Sequence, residues 1–284
     1  MLNARSLRNK IDELKALINT EEYDVIGVTE TWTKTSSTDF STEFDISGYN
    51  KILKERINKK GGGVILYFRN SLKVEEIEVE QLNSIEIIIA KFKCKNTTFP
   101  LVLLYRPPTQ NETDDHLMYS EITKILRNKN AIVMGDFNCP EIGYTLTPTK
   151  REAKDLLNFI DDNFLTQHVN KGTRGDNILD LILSKNEHMI SEVCIREPLG
   201  NSDHNMVSFE IKVELQVDSN NLKIPNFNKG NFERFRNILN NIDWEDRFRD
   251  KSTNEKWEIL KNELNRAQLE TVPYRVKRKT KQLS

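Results

Sequence analysis

The octet Ala131–Asn138 reads Ala-Ile-Val-Met-Gly-Asp-Phe-Asn and narrows what the chain can fold into more than any other stretch. Four apolar residues run straight into a glycine, an acid, an aromatic and an amide. A short apolar run bounded by a turn residue is a buried strand. Gly135 frees the backbone at its end. Asp136 and Asn138 stand at alternate positions, so on a pleated chain they project to the same side. A carboxylate beside an amide that donates and accepts suits a phosphate and a water held together. The same letters also spell an ordinary strand closed by an Asp/Asn turn, and the octet alone leaves both readings open.

Other apolar runs surround it. Tyr23–Thr29, Val64–Phe68, Ile85–Phe92, Phe99–Tyr105, Asn177–Leu183, Val193–Arg196 and Met206–Val213 read as strands. Lys93–Thr98 is a hairpin turn, and Pro107-Pro108 stop the strand before them. Lys59–Gly63 is a hairpin entry, since three irregular glycines do not make a phosphate-cradling motif. Helical spacing runs through Leu7, Ile11, Leu14 and Ile18, and through Met118, Ile122 and Ile125 within Thr113–Arg127. A third helix follows a Thr149/Glu152 capping box and buries Ala153, Leu156, Leu157 and Ile160. Strands and helices alternate, but several neighbouring strands can form hairpins. That favours an α/β fold of mixed sheets with helices outside over a purely parallel one.

The character changes near Leu215, which divides the chain into 1–215 and 216–284. Asp218–Lys229 is a linker. Phe232, Phe235, Leu239 and Ile242 suit one helix, and Ser252 with Glu255 caps a second, lined by Trp257, Leu260 and Leu264 and ended by Pro273. Charge divides in the same place. Residues 217–284 carry 15 Lys/Arg against 10 Asp/Glu, whereas the preceding 216 residues carry 27 against 33. A nucleic-acid partner therefore needs a local basic patch or the tail Tyr274–Lys281, which holds five basic residues.

No apolar run approaches the length of a membrane span, so no membrane partner is expected. Met1–Ser6 lacks the apolar core of a secretion signal. Cys94, Cys139 and Cys194 are odd in number and widely spaced, as reduced thiols are. The expected setting is intracellular, nuclear or cytoplasmic.

Polar residues recur where apolar strands finish: Glu30, Tyr105, Asp136 with Asn138, and Asp203 with His204. Strand ends are where a rigid sheet presents side chains to a cleft. The set offers carboxylates for a hard divalent cation, one histidine beside an acid for acid/base or electrostatic work, and amides with a phenol for orienting oxygens. Asp180 sits inside an apolar strand and needs a partner. No activated serine or cysteine nucleophile stands out. Metal-assisted hydrolysis by water fits this inventory. Each piece alone has a plainer explanation: Asp-His is often a loop, Trp32 packs on a core, and Tyr105 is a buried aromatic. His168 and His188 lack company and read as structural or surface residues.

Taken in order, Asn3, Glu30-Thr31-Trp32, Tyr105-Arg106-Pro107-Pro108, Gly135-Asp136-Phe137-Asn138, Asp180 and Ser202-Asp203-His204 resemble the endonuclease/exonuclease/phosphatase superfamily. They look closest to the apurinic-like endonuclease domain of non-LTR retrotransposons, over residues 1 to about 213. The segment 225–281 looks like the stretch joining that endonuclease to a reverse transcriptase. The resemblance implies a four-layer α/β sandwich, two packed mixed β-sheets flanked by helices, with a C-terminal helical extension. It implies that Glu30 ligands Mg²⁺ or Mn²⁺ with Asn3 nearby, and that Asp136 activates water. Asn138 and Tyr105 would hold the phosphate. His204, oriented by Asp180, would stabilise developing charge, and Asp203 would assist at the metal or transition state. The implied reaction is hydrolysis of DNA phosphodiester bonds, leaving a nick with a free 3′-hydroxyl. Relatives carry a strand before the asparagine, and here only Met1 and Leu2 precede it. The expectation is a stunted first strand and a poorly anchored Asn3. Two other functions stay in view: the same fold acting on a small phosphoester or lipid head group, and an inactive relic that binds nucleic acid through its basic tail.

Overall fold

The computed structural model describes residues 1–33, 43–56, 61–79, 82, 85–95, 97–143, 148–213 and 223–276. The expected loop 36–41, the Lys59-Lys60 start of the glycine stretch, residues 144–147, the linker residues 218–222 and the tail from 277 onwards lie outside them. The chain divides into two compact units, Met1–Val217 and Asp218–Ser284.

The first unit contains two mixed sheets. One has the order β1 (Leu2–Asn3), β2 (Val25–Thr29), β4 (Val64–Arg69), β3 (Tyr49–Lys54). Its β1–β2 pair is parallel and the rest antiparallel. The second has the order β5 (Val74–Glu76), β6 (Glu86–Lys93), β7 (Thr98–Tyr105), β8 (Ile132–Asp136), β10 (Asp180–Ser184), β9 (Thr166–Gln167), with only β7–β8 parallel. β11 (Ile190–Arg196) and β12 (Met206–Ile211) form a separate antiparallel ladder. The helices are α1 (Ile11–Glu21), α2 (Glu112–Ile125) and α3 (Arg151–Asp162).

Period-two alternation assigns each strand residue to a layer. Val64, Leu66 and Phe68 of β4 meet Ile88, Ala90, Phe92, Leu101, Leu103, Ile132, Met134 and Ile182 between the sheets. Ile65 and Tyr67 turn outward to Leu14 and Ile18 of α1. Ile87, Ile89, Val102, Leu104, Val133, Leu181 and Leu183 turn to the other outside, against Met118, Ile122, Leu156, Phe159 and Ile160 of α2 and α3. The result is the expected sandwich, helix on sheet on sheet on helix. No described helix is long and apolar enough to cross a membrane.

Several local expectations change. Tyr49–Lys54 is a strand that its mixed polar composition concealed, and it completes a hairpin with β4. Leu7 is buried in the turn before α1, not within the helix. The Thr149/Glu152 box does not form. Lys150 is the N-cap residue, and the Glu141 carboxylate accepts from Thr149 N at 2.8 Å, Thr149 Oγ1 at 2.9 Å and Lys150 N at 3.1 Å. A carboxylate from outside satisfies donors that a Thr–Glu exchange would have served. The buried face of α3 takes Phe159 in place of Leu157.

The second unit pairs β13 (Lys223–Pro225) with β14 (Tyr274–Val276) and holds α4 (Phe232–Asn240), α5 (Trp244–Phe248) and α6 (Thr253–Thr271). The Ser252/Glu255 capping box is present: Ser252 N donates to Glu255 Oε2 at 2.8 Å, and Glu255 N to Ser252 Oγ at 3.4 Å. The expected apolar face of α6 is only partly used. Trp257 is 60% exposed, while Glu263, Ala267 and Thr271 are buried.

Candidate active site

The layer between the sheets is apolar until the strands end. There the inward positions turn polar: Asn3 on β1, Thr29 on β2, Glu86 on β6, Tyr105 on β7, Asp136 on β8 and Asp180 on β10, all buried. Registry aligns them, with Tyr105 opposite Asp136 and Asp136 opposite Asp180. Gly135 permits this approach, because a Cβ there would stand 2.1 Å from the Leu104 carbonyl oxygen.

Asn3 is the hub. Its Nδ2 donates to Glu30 Oε1 and to Asp136 Oδ2, both at 2.9 Å, and its Oδ1 accepts from Arg5 N at 2.9 Å. Its carbonyl accepts from Ser202 Oγ at 2.7 Å. β1 is two residues long, yet Asn3 is fully buried and fixed through all its polar side-chain atoms. The expectation of a poorly anchored asparagine is therefore corrected. Hydrogen bonds to three other segments, and a local one from Arg5, hold it where strand length does not.

Glu30 and Trp32, just past β2, take left-handed φ angles of +50° and +53°, as does Asn138 at +50°. Such conformations cost roughly 1–3 kcal/mol each and persist where the surroundings over-determine them. The Trp32 indole N–H donates to Glu30 Oε2 at 3.1 Å, and Trp32 is 37% exposed, so it braces the acid instead of packing on a core. β8 ends at Asp136, so the pleat does not carry Asn138. An Asx-type turn does, with Asn138 N donating to Asp136 Oδ1 at 3.0 Å and Asn138 Nδ2 to the Arg106 carbonyl at 3.0 Å.

Asp180 opens its strand rather than lying inside it. Its Oδ2 accepts from His204 Nδ1 at 2.8 Å, while its Oδ1 is buried with no hydrogen-bond partner. Asp203 is held in ion pairs with Arg174 at 2.6 Å and Arg5 at 3.4 Å. Tyr105 lies beneath the Arg56 guanidinium, 5.3 Å from its ring centroid. The expected set thus divides. Asn3, Glu30, Asp136, Asn138, Asp180 and His204 form one connected group, Tyr105 flanks it, and Asp203 is tied to arginines. His168 hydrogen-bonds Ser184 at 2.8 Å and His188 is exposed, both apart from the group.

Burial and neighbouring charge together set the proton affinities. Burial above all, and then the facing Asp180 carboxylate, push the Asp136 carboxyl well above its ordinary range, against the pull of His204, Asn3 and the Asn138 N–H. Burial lowers the His204 imidazole, but the hydrogen bond and charge of Asp180 outweigh it and leave the pKa raised. Burial lifts Asp203, and Arg174 and Arg5 more than reverse it, so its carboxyl stays low. Burial, then Glu30 and Asp136, raise the Tyr105 phenol.

Ligand atoms of Asp136, Asp180 and His204 lie within 4.8 Å of one another. With Glu30 adjacent, this is an oxygen-rich donor set with too little positive charge and one orphaned carboxylate oxygen. It fits a hard divalent cation. Asn3 turns its N–H groups, not its oxygen, toward the acids, and Asp203 is already charge-matched. A cavity of about 730 Å³, lined by Ile18, Val25, Phe92, Val207 and Phe209 among others, includes none of these groups.

Sequence reasoning missed Arg56, Glu86, Arg5 and Arg174. Glu86 carried a readable signal, an acid inside an apolar strand, the same one that singled out Asp180. The arginines carried none, because their partners are distant in sequence.

A model of the Endonuclease/Exonuclease/phosphatase family matches residues 2–204. No curated protein sequence matches the chain. Among solved structures, the endonuclease domain of TRAS1, a telomere-specific non-LTR retrotransposon, is similar at 18% identity and a TM-score of 0.59, over 75% of this chain and 96% of that one. The AP endonuclease LMAP from Leishmania major gives 15% and 0.59, over 72% and 84%. The 3′ phosphatase NExo from Neisseria, bound to a product DNA hairpin, gives 14% and 0.53, over 74% and 97%.

Proposed function

Since this chain belongs to the endonuclease/exonuclease/phosphatase family, whose members are metal-dependent nucleases and phosphatases, we propose that it hydrolyses phosphodiester bonds of DNA and leaves a nick with a free 3′-hydroxyl. The observation that carries this reading is the convergence of Asn3, Glu30, Asp136, Asp180 and His204 at one end of the inter-sheet layer, tied by the paired 2.9 Å bonds from Asn3. The retrotransposon endonuclease and the DNA-bound phosphatase among its structural neighbours support DNA as the substrate. In this reading the chain is the nicking endonuclease of a non-LTR retrotransposon, working beside a reverse transcriptase.

Glu30, with the Asp136–Asp180 pair beside it, would hold Mg²⁺ or Mn²⁺, which when bound supplies Lewis-acid polarisation of a phosphoryl oxygen and charge neutralisation. Asp136 takes the proton of the attacking water. Asn3 and the Asn138 N–H aim its two oxygens. Asn138 and Tyr105 hold the phosphate. Asp180 fixes the His204 ring through Nδ1, leaving Nε2 to stabilise charge that builds on the phosphorane oxygens. Asp203, paired with Arg5 and Arg174, keeps two cations beside this site and assists at the transition state.

The test is nicking of supercoiled plasmid in Mg²⁺ by wild type, Asp136→Ala and His204→Ala. Loss in both variants is expected. Equal nicking by all three would sink the assignment, and phosphate release from small phosphoesters without any nicking would move the substrate to that class.

A further inference from the structure

Glu86 and Tyr105 are direct cross-strand partners on β6 and β7. Glu86 is almost fully buried, and its charge is met from two sides. Arg56 Nε donates to its Oε1, and Gly63 N donates to its Oε2 at 2.5 Å. The pair sits in a space that only glycine leaves open. A Cβ on Gly62 would stand 2.3 Å from Glu86 Oε2 and 2.4 Å from Arg56 Nε. The same glycines hold the strained loop after Glu30, since Trp32 N donates to the Gly62 carbonyl at 2.8 Å and Thr31 N to the Gly63 carbonyl at 3.2 Å.

Arg56 Nη2 is buried and has no hydrogen-bond acceptor among the described residues. A buried cationic donor without an oxygen partner is costly. What the guanidinium does have is the face of Tyr105, to which cation–π attraction holds it. The Tyr105 hydroxyl hydrogen-bonds to nothing among the described residues, so the ring alone sets where it lies.

We propose that Arg56, clamped by Glu86, is a positioning residue that fixes the Tyr105 ring so that its hydroxyl meets the scissile phosphate. This rests on the phosphodiesterase reading above. Arg56 acts through Tyr105 and does not itself touch the substrate.

A double-mutant cycle on plasmid nicking tests it. Arg56→Met is expected to lower kcat about tenfold with KM for DNA little changed, as small misplacements near a reacting centre do. Arg56→Lys, which keeps a cation over the ring, recovers most of the loss. In a Tyr105→Phe background Arg56→Met adds less than about twofold, because the hydroxyl it positions is gone. Arg56→Met/Glu86→Gln removes the buried acid left behind and separates folding loss from positioning. An equal effect of Arg56→Met in both backgrounds, or no recovery by lysine, overturns the proposal. A readout independent of activity is the ¹³C-tyrosine spectrum, with Tyr105 assigned by Tyr105→Phe. Its ring signal should broaden or double in Arg56→Met, and an unchanged signal overturns the proposal even if wild type nicks no DNA, an outcome that would remove the phosphodiesterase reading separately.

Discussion

Two buried charge clusters flank the ends of β7 and β8, and they are built in opposite ways. In one, Arg106 donates to Asp115 through Nε at 2.7 Å and Nη2 at 2.9 Å, Arg151 adds a bond to the same acid at 3.0 Å, and Gln110 another at 3.0 Å. Arg106 is 1% exposed and Asp115 not at all, yet every oxygen is satisfied. In the other, Asp136 faces Asp180, Glu30 stands near, and Asp180 Oδ1 has no partner. Arg106 N also holds the Asp136 carbonyl at 2.8 Å, so the satisfied cluster braces the unsatisfied one. Burial of charge is common to both. What separates structure from chemistry is whether the charge is balanced: a closed network has nothing left to offer a ligand, and an open one does.

Breaking each cluster should therefore give opposite phenotypes. The largest effect is expected for Asp136→Ala, a loss of roughly 10²–10⁴-fold in nicking rate, the range for general acid–base groups, with thermal stability kept or increased because one of two facing acids is gone. A clear fall in melting temperature there would erase the distinction. Asp115→Ala should do the reverse and strand a buried guanidinium, at about 3–5 kcal/mol, read as a shift of the denaturant midpoint.

Metal titration sharpens the contrast further. Mg²⁺ at a hundred times its Kd should stabilise wild type by about 2.7 kcal/mol in calorimetry, and should leave Glu30→Gln close to its metal-free value. Equal stabilisation of both would place the ion elsewhere. The smallest effect is expected outside both clusters. Ser252→Ala removes a hydrogen-bonded cap from an exposed helix end and should cost about 1 kcal/mol, seen as faster amide exchange in the first turn of α6, with nicking unaltered.

Much of this was legible in the linear chain. Apolar runs of strand length, their polar endings and the helical spacings identify the layers, since these follow from period-two and period-3.6 burial that the chain carries locally. Asn3, Glu30, Tyr105, Asp136, Asn138, Asp180 and His204 could be named from motif order alone. Their hydrogen-bond and ion-pair partners could not. That Asn3 is held tightly at the end of a two-residue strand, that Asp203 belongs to Arg5 and Arg174, that Asn138 is placed by an Asx turn, and that Glu141 caps α3 are all decided by partners far away in sequence. Glu86 shows the boundary well. An acid in an apolar strand announces that it has a partner, but only the packing of the two sheets brings Arg56 and Gly63 to it. Local patterns record what each residue must bury, and a charge's partner is chosen by where the folded backbone brings the other charges.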